Sequence, residues 1–116
     1  MGSPRLTHVR VNVSGLAPAI EWYERLFGVR AEGHWPPDAP TYVHFTLGPT
    51  QFALGMYEPF PATGARFNFE VDDVDDWWAR VGPHADVIEP LHDTPYGTRK
   101  FTIRDPDGNE LGFVRA

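Results

Sequence analysis

The chain has no cysteine among its 116 residues. That excludes a disulfide scaffold, a thiolate zinc site, an iron–sulfur cluster and a thiol nucleophile, so any metal here has only His, Asp, Glu or water to bind it. Positive charge is also scarce: Lys and Arg number 10 against 16 Asp and Glu, a formal net charge of −6. This is the wrong sign for a general nucleic-acid or anionic-membrane binder. No apolar run approaches the roughly 18 residues of a membrane span. The start Met1-Gly2-Ser3-Pro4-Arg5 lacks the apolar stretch of a signal peptide, and Leu6 stands where a myristoylation signal needs Ser or Thr. A cytoplasmic protein with no nucleic-acid or membrane partner is expected. Aromatic residues are plentiful at 14%, which gives one domain of this length enough apolar bulk to offset the entropy of ordering.

Periodicity outlines the elements. Thr7 to Val13 alternates, with Val9, Val11 and Val13 on one face, as in a half-buried strand. Pro18 suits a first helical turn, and Ile20, Tyr23 and Phe27 recur at helical spacing until Gly28 supplies a left-handed cap. Val29 to Ala31 is expected to form a short strand and Gly33 to Pro40 a loop. Tyr42 to Leu47 and Gln51 to Tyr57 are expected as strands joined across Gly48-Pro49-Thr50. Pro59, Pro61 and Gly64 punctuate a connector, and the order then repeats. Arg66 to Val71 alternates, Asp73 can cap a helix striped by Val74, Trp77, Trp78 and Val81, and Gly82-Pro83 stops it. Val87-Ile88, Lys100 to Arg104 and Glu110 to Val114 complete the set, the last two joined by Asp105-Pro106-Asp107-Gly108.

One shift of 58 residues relates the halves. It carries Val13 to Leu16 onto Val71 to Val74, Ile20 onto Trp78, Val43 and Phe45 onto Phe101 and Ile103, and the first hairpin turn onto the second. Agreement at four separated places points to an internal duplication of a β-α-β-β-β unit.

The stretch His8-Val9-Arg10-Val11-Asn12-Val13-Ser14-Gly15-Leu16, the Trp22-Tyr23 and Leu26-Phe27-Gly28 of the first helix, Phe69-Glu70-Val71-Asp72-Asp73-Val74, and Tyr96-Gly97-Thr98 followed by Phe101 and Asp105 to Leu111 lie in an order and spacing that resembles the vicinal oxygen chelate superfamily. This is the group of glyoxalases, extradiol dioxygenases and the fosfomycin and bleomycin resistance proteins. The resemblance covers nearly the whole chain. It implies an α+β fold of two βαβββ modules, about 5–58 and 65–115, in one domain, whose mixed or antiparallel sheets curl around a cup with the helices outside. Metal-using members place one ligand, His or Glu, on the first and last strand of each module. The corresponding positions here are His8, Leu54, Arg66 and Gly112, of which only His8 can bind a metal. One imidazole beside a guanidinium does not hold a divalent ion. No cofactor is therefore expected, with Glu110 or His44 the residues that could rescue a site built on His8.

If the valines and phenylalanines of the first strands pack under the helices, then His8, Arg10, Asn12, Arg66, Asn68 and Glu70 point the other way, joined by Tyr42 and His44. Mapping back from the last strand by 58 puts Phe52, Leu54 and Met56 on that same face, and Ala53 and Gly55 on the helix side. Thr102 and Glu110 complete the candidate ligand-binding residues, with Trp35 a lid from its proline-rich loop. Of the charged residues at strand ends, Lys100 and Arg104 read as solvated, and the aspartates 72, 73, 75 and 76 as helix caps. Trp77 and Trp78, being adjacent, are expected to split between the core and an interface. Acid–base chemistry through His8, His44, Glu70 or Glu110 needs a pair facing each other, which no spacing establishes.

The reading that results is a metal-free small-molecule-binding protein of the bleomycin resistance type, sequestering a drug-like or metabolite ligand and thus able to act in antibiotic resistance. The alternative is a lyase, isomerase or dioxygenase of the same superfamily that uses a divalent metal or a His or Glu base. The net negative charge suits a cationic ligand, whereas Arg10 and Arg66 suit a carboxylate or phenolate. A homodimer, with or without exchanged modules, is expected from the sheet edges and adjacent tryptophans.

Overall fold

The computed structural model describes residues 8–56 and 65–116. The expected strand start at Thr7, strand end at Tyr57 and the Pro59 to Gly64 connector lie outside them. The chain divides into two compact units, Met1–Ala62 and Thr63–Ala116.

In the first unit the order is β1 (His8–Asn12), α1 (Leu16–Phe27), β2 (Glu32–Trp35), β3 (Tyr42–Leu47) and β4 (Thr50–Gly55). The four strands form one sheet in the order β1-β4-β3-β2, with β1 parallel to β4 and the other pairs antiparallel. Leu16, Ala19, Tyr23 and Leu26 of α1 are buried, a spacing of three and four that puts them on one helix face. Tyr23 meets Phe52 at 5.4 Å and Phe45 at 6.2 Å between ring centroids, and Phe27 meets both at 5.4 and 5.5 Å. Gly28, at φ 70°, closes the helix in the left-handed conformation that costs glycine nothing, its N–H bonding the Glu24 carbonyl. The short strand expected at Val29 to Ala31 instead lies at Glu32–Trp35, running from Gly33 onward into the expected loop. The reason is a bulge: Glu32 lies opposite His44 and Trp35 opposite Tyr42, so two residues of β2 face one of β3. Gly33 takes φ 64° there, where a Cβ would lie 2.6 Å from the His44 Nδ1.

The second unit repeats the plan with β5 (Arg66–Val71), α2 (Val74–Val81), a 3-10 turn at Gly82–His84, β6 (Asp86–Asp93), β7 (Arg99–Arg104) and β8 (Glu110–Arg115), in sheet order β5-β8-β7-β6. Asp73 caps α2, accepting the Asp76 N–H at 3.0 Å. The aromatic core is stacked: Phe101 on Phe113 at 5.1 Å and Phe69 on Phe113 at 5.3 Å. Both tryptophans, each half-buried, touch it, Trp77 against Phe113 at 5.0 Å and Trp78 against Phe101 at 5.2 Å. The two side chains straddle the helix face and each finds one phenylalanine. The two-residue strand expected at Val87-Ile88 runs the full Asp86–Asp93, concealed in the sequence by Pro90 and two register shifts. The turn between β7 and β8 is a closed polar knot: Asp105 accepts the Asp107 and Asn109 N–H groups and the Asn109 carboxamide, while Asn109 Oδ1 accepts the Ala65 N–H at 3.0 Å. Buried Asp105 and Asn109 are thereby satisfied.

No helix among the described residues is long and apolar enough to cross a membrane.

Candidate functional site

Each sheet has one face under its helix and one free of it, and register assigns the residues. In the first unit His8 pairs with Gln51, Arg10 with Ala53, Asn12 with Gly55, and these with Thr46, His44 and Tyr42. Directly opposed residues share a face. His8, Arg10, Asn12, Tyr42 and His44 therefore lie together on the polar face, as the alternation of β1 requires. Phe52 and Leu54 do not: they pair with Val9, Val11, Phe45 and Val43, and both are fully buried in the core. Ala53 and Gly55 take their place on the polar face. The error has a single cause. The shift between units is 58 at β3 but 59 at β4, because the Asp105–Asn109 turn is one residue longer than its counterpart, and one residue inverts a strand's faces. Met56 follows the same phase; its sulfur accepts the Leu16 N–H at 3.1 Å, at the start of α1.

The polar face of this sheet is rich in rings. The Tyr42 hydroxyl and His8 Nε2 share a hydrogen bond of 3.0 Å, with the two rings nearly parallel, and Tyr42 and His44 lie 6.1 Å apart. Glu32, not anticipated from the sequence, accepts the Thr46 hydroxyl and stands 4.0 Å from His44 Nε2. The bulge at Gly33 brings Glu32 onto this face and seats the His44 ring where a larger residue would stand. Trp35, opposite Tyr42 at the end of β2 and not in a loop, is 65% exposed. Asn12 Oδ1 is buried with no hydrogen-bond donor among the described residues.

The second sheet presents charge instead. Arg66 Nη2 donates to Glu89 at 2.8 Å and to Thr102 Oγ1 at 3.3 Å, and its Nε stands 3.5 Å from Glu110. Thr102 is fully buried and donates to Glu89 at 2.6 Å, and Lys100 Nζ lies 3.6 Å from the same carboxylate. That hydroxyl holds the Glu89 carboxyl below the usual carboxylate range, with Lys100 and Arg66 adding to it and partial burial opposing. Lys100, expected to be solvated, has a side chain only 13% exposed. Glu89 is a second residue the sequence did not reveal, since β6 carries no clean alternation. Asn68 lies on this face directly over Gly112, so that any Cβ at 112 would collide with its Oδ1. Glu70 occupies the same face at the far end of β5, opposite Val114. Arg104 pairs with Asp86, and Asp75, expected only as a capping residue, binds Arg99 together with Asp93, which raises the Arg99 pKa further.

The sequence model of the Glyoxalase/Bleomycin resistance protein/Dioxygenase superfamily matches residues 5–113. The chain belongs to that superfamily. Solved structures agree at the level of the fold: TioX from Micromonospora sp. ML1 superposes with a TM-score of 0.84 at 23% identity, over 97% of this chain and 98% of that one. A superfamily member from Sphaerobacter thermophilus gives 0.80 at 22% identity over 98% of each chain. A lactoylglutathione lyase from Agrobacterium tumefaciens gives 0.79 at 24% identity over 100% and 96%. No curated protein matches the sequence.

Within the superfamily, the ligand positions of metal-using members can now be placed by register. They fall on His8 and Ala53 in the first sheet, correcting Leu54, and on Arg66 and Gly112 in the second. The donor set does not fit a divalent ion. Ala53 and Gly112 offer no ligand atom, Arg66 carries a permanent charge of the wrong sign, and His8 Nε2 is engaged by Tyr42. Glu110, the residue that could have joined His8, faces Arg66. Among the described residues no three of His, Asp and Glu gather as a metal site requires.

Proposed function

We propose that the chain is a small-molecule-binding protein of the glyoxalase/bleomycin resistance type that holds its ligand without a metal and acts by sequestration. The observation that carries this reading is the state of the four ligand positions. One is a methyl group, one a glycine filled by Asn68, one a guanidinium in ion pairs, and the one imidazole is paired with a tyrosine. What the polar face of each unit does offer is recognition: in the first, rings at His8, Tyr42, His44 and Trp35 that suit a flat apolar body, and in the second, hydrogen-bonding groups at Arg66 and Glu110, with the Thr102 hydroxyl buried beneath them and already used by Glu89 and Arg66. A cytoplasmic homodimer that sequesters a drug-like compound or metabolite accords with this reading.

The test is native mass spectrometry of untagged protein purified from cells. The expected result is an organic mass of a few hundred daltons that is released on denaturation and retained through EDTA treatment. A bound mass that leaves with the chelator contradicts the reading and favours a metal-dependent lyase, isomerase or dioxygenase.

A further inference from the structure

Arg66 is exposed on the free face of its sheet, yet its orientation is fixed. Its Nε faces Glu110 and its Nη2 holds Glu89 and Thr102. Its remaining nitrogen, Nη1, donates to no group among the described residues, although a guanidinium carries five donors in a rigid plane. The charge around it is balanced: Arg66 and Lys100 are opposed by Glu89 and Glu110, two against two. The Thr102 hydroxyl, Lys100 and Arg66 favour the charged form of Glu89.

Such a site differs from an ordinary anion-binding arginine. A carboxylate approaching Nη1 gives up hydration and meets two fixed carboxylates, so its attraction to the guanidinium is offset. An uncharged carbonyl oxygen accepts the same N–H without that repulsion, and the donor needs no reorganisation because its other nitrogens are pinned. The neighbouring group on the sheet is neutral as well, the Asn68 carboxamide over Gly112. We propose that Arg66, neutralised by Glu89 and Glu110, anchors an uncharged oxygen acceptor of the ligand, a ketone or amide carbonyl, in preference to a carboxylate. This rests on the reading of the chain as a metal-free binding protein. It reverses the preference for a carboxylate that Arg66 alone would give.

The test uses two aromatic fragments of matched shape, acetophenone and benzoate, titrated into 15N-labelled full-length protein while the arginine Nε–Hε resonances and, as the readout that survives in the Arg66 variants, the backbone amide resonances of Asn68, Glu110 and Gly112 are followed by NMR. In the wild type, acetophenone shifts the Arg66 resonance saturably and binds about threefold more tightly than benzoate, the scale of one partly exposed charge interaction. Arg66→Met removes the acetophenone response at this sheet, with Arg66→Lys as the variant that keeps charge but loses the planar fork and the preference. The double variant Glu89→Gln/Glu110→Gln reverses the order in favour of benzoate. Tighter benzoate binding by the wild type overturns the assignment and leaves metal-free binding standing. So does a preference that survives both Arg66 variants, or a spectrum that neither fragment moves. A fragment response that requires an added divalent ion overturns both the assignment and the reading beneath it.

Discussion

At Gly112 a single methyl group is more than the sheet can take, because the space above the Cα belongs to Asn68. The pairing of these two residues closes the position from which metal-using relatives reach their ion, so their sizes are coupled. Gly112→Ala is expected to lower stability by about 1–3 kcal/mol through overpacking. In an Asn68→Gly background most of that loss should vanish, a non-additivity that urea denaturation of the four proteins in the cycle would measure. Equal losses in both backgrounds would show that Asn68 can move aside at no cost. At this scale the sequence was informative where alternation is unbroken. His8, Arg10, Asn12, Arg66, Asn68 and Glu70 lie on the faces their strands predict. It was silent on Glu32 and Glu89, whose strands contain register shifts that destroy the period of two on which such readings depend.

Elements were legible when their ends carried chemistry. Asp73 announces α2 because its carboxylate accepts the Asp76 N–H, and Asp73→Ala is expected to cost about 1 kcal/mol in denaturant unfolding. An unchanged midpoint would mean that water replaces the cap without loss. The start of α1 was less readable, since Gly15 supplies no side-chain cap and the thioether of Met56, 40 residues away in the chain, accepts the Leu16 N–H. No local pattern encodes that contact. The largest misreading also belongs to this scale: Phe52, Leu54 and Met56 were assigned to the polar face by a repeat that gains one residue in its second hairpin turn. Apart from β2 and β6, whose register shifts hid their bounds, the described strands begin and end close to where alternation placed them, but the face of β4 depended on a loop length that hydrophobicity does not report.

For the molecule as a whole, the duplication visible in the sequence appears as two four-stranded sheets of like topology, each with one helix against it. Their free faces have diverged, one carrying rings and imidazoles, the other a balanced set of ion pairs. Among the described residues neither gathers three His, Asp or Glu side chains as a metal site requires, and the proposed function rests on that observation. The direct measurement is equilibrium dialysis of the untagged protein against Zn2+, Ni2+, Mn2+ and Fe2+ in turn, with elemental analysis of the protein compartment. The account predicts far less than one ion per chain for each metal, and no difference between wild type and His8→Ala. One ion bound per chain or per pair of chains, and lost in His8→Ala, would contradict it.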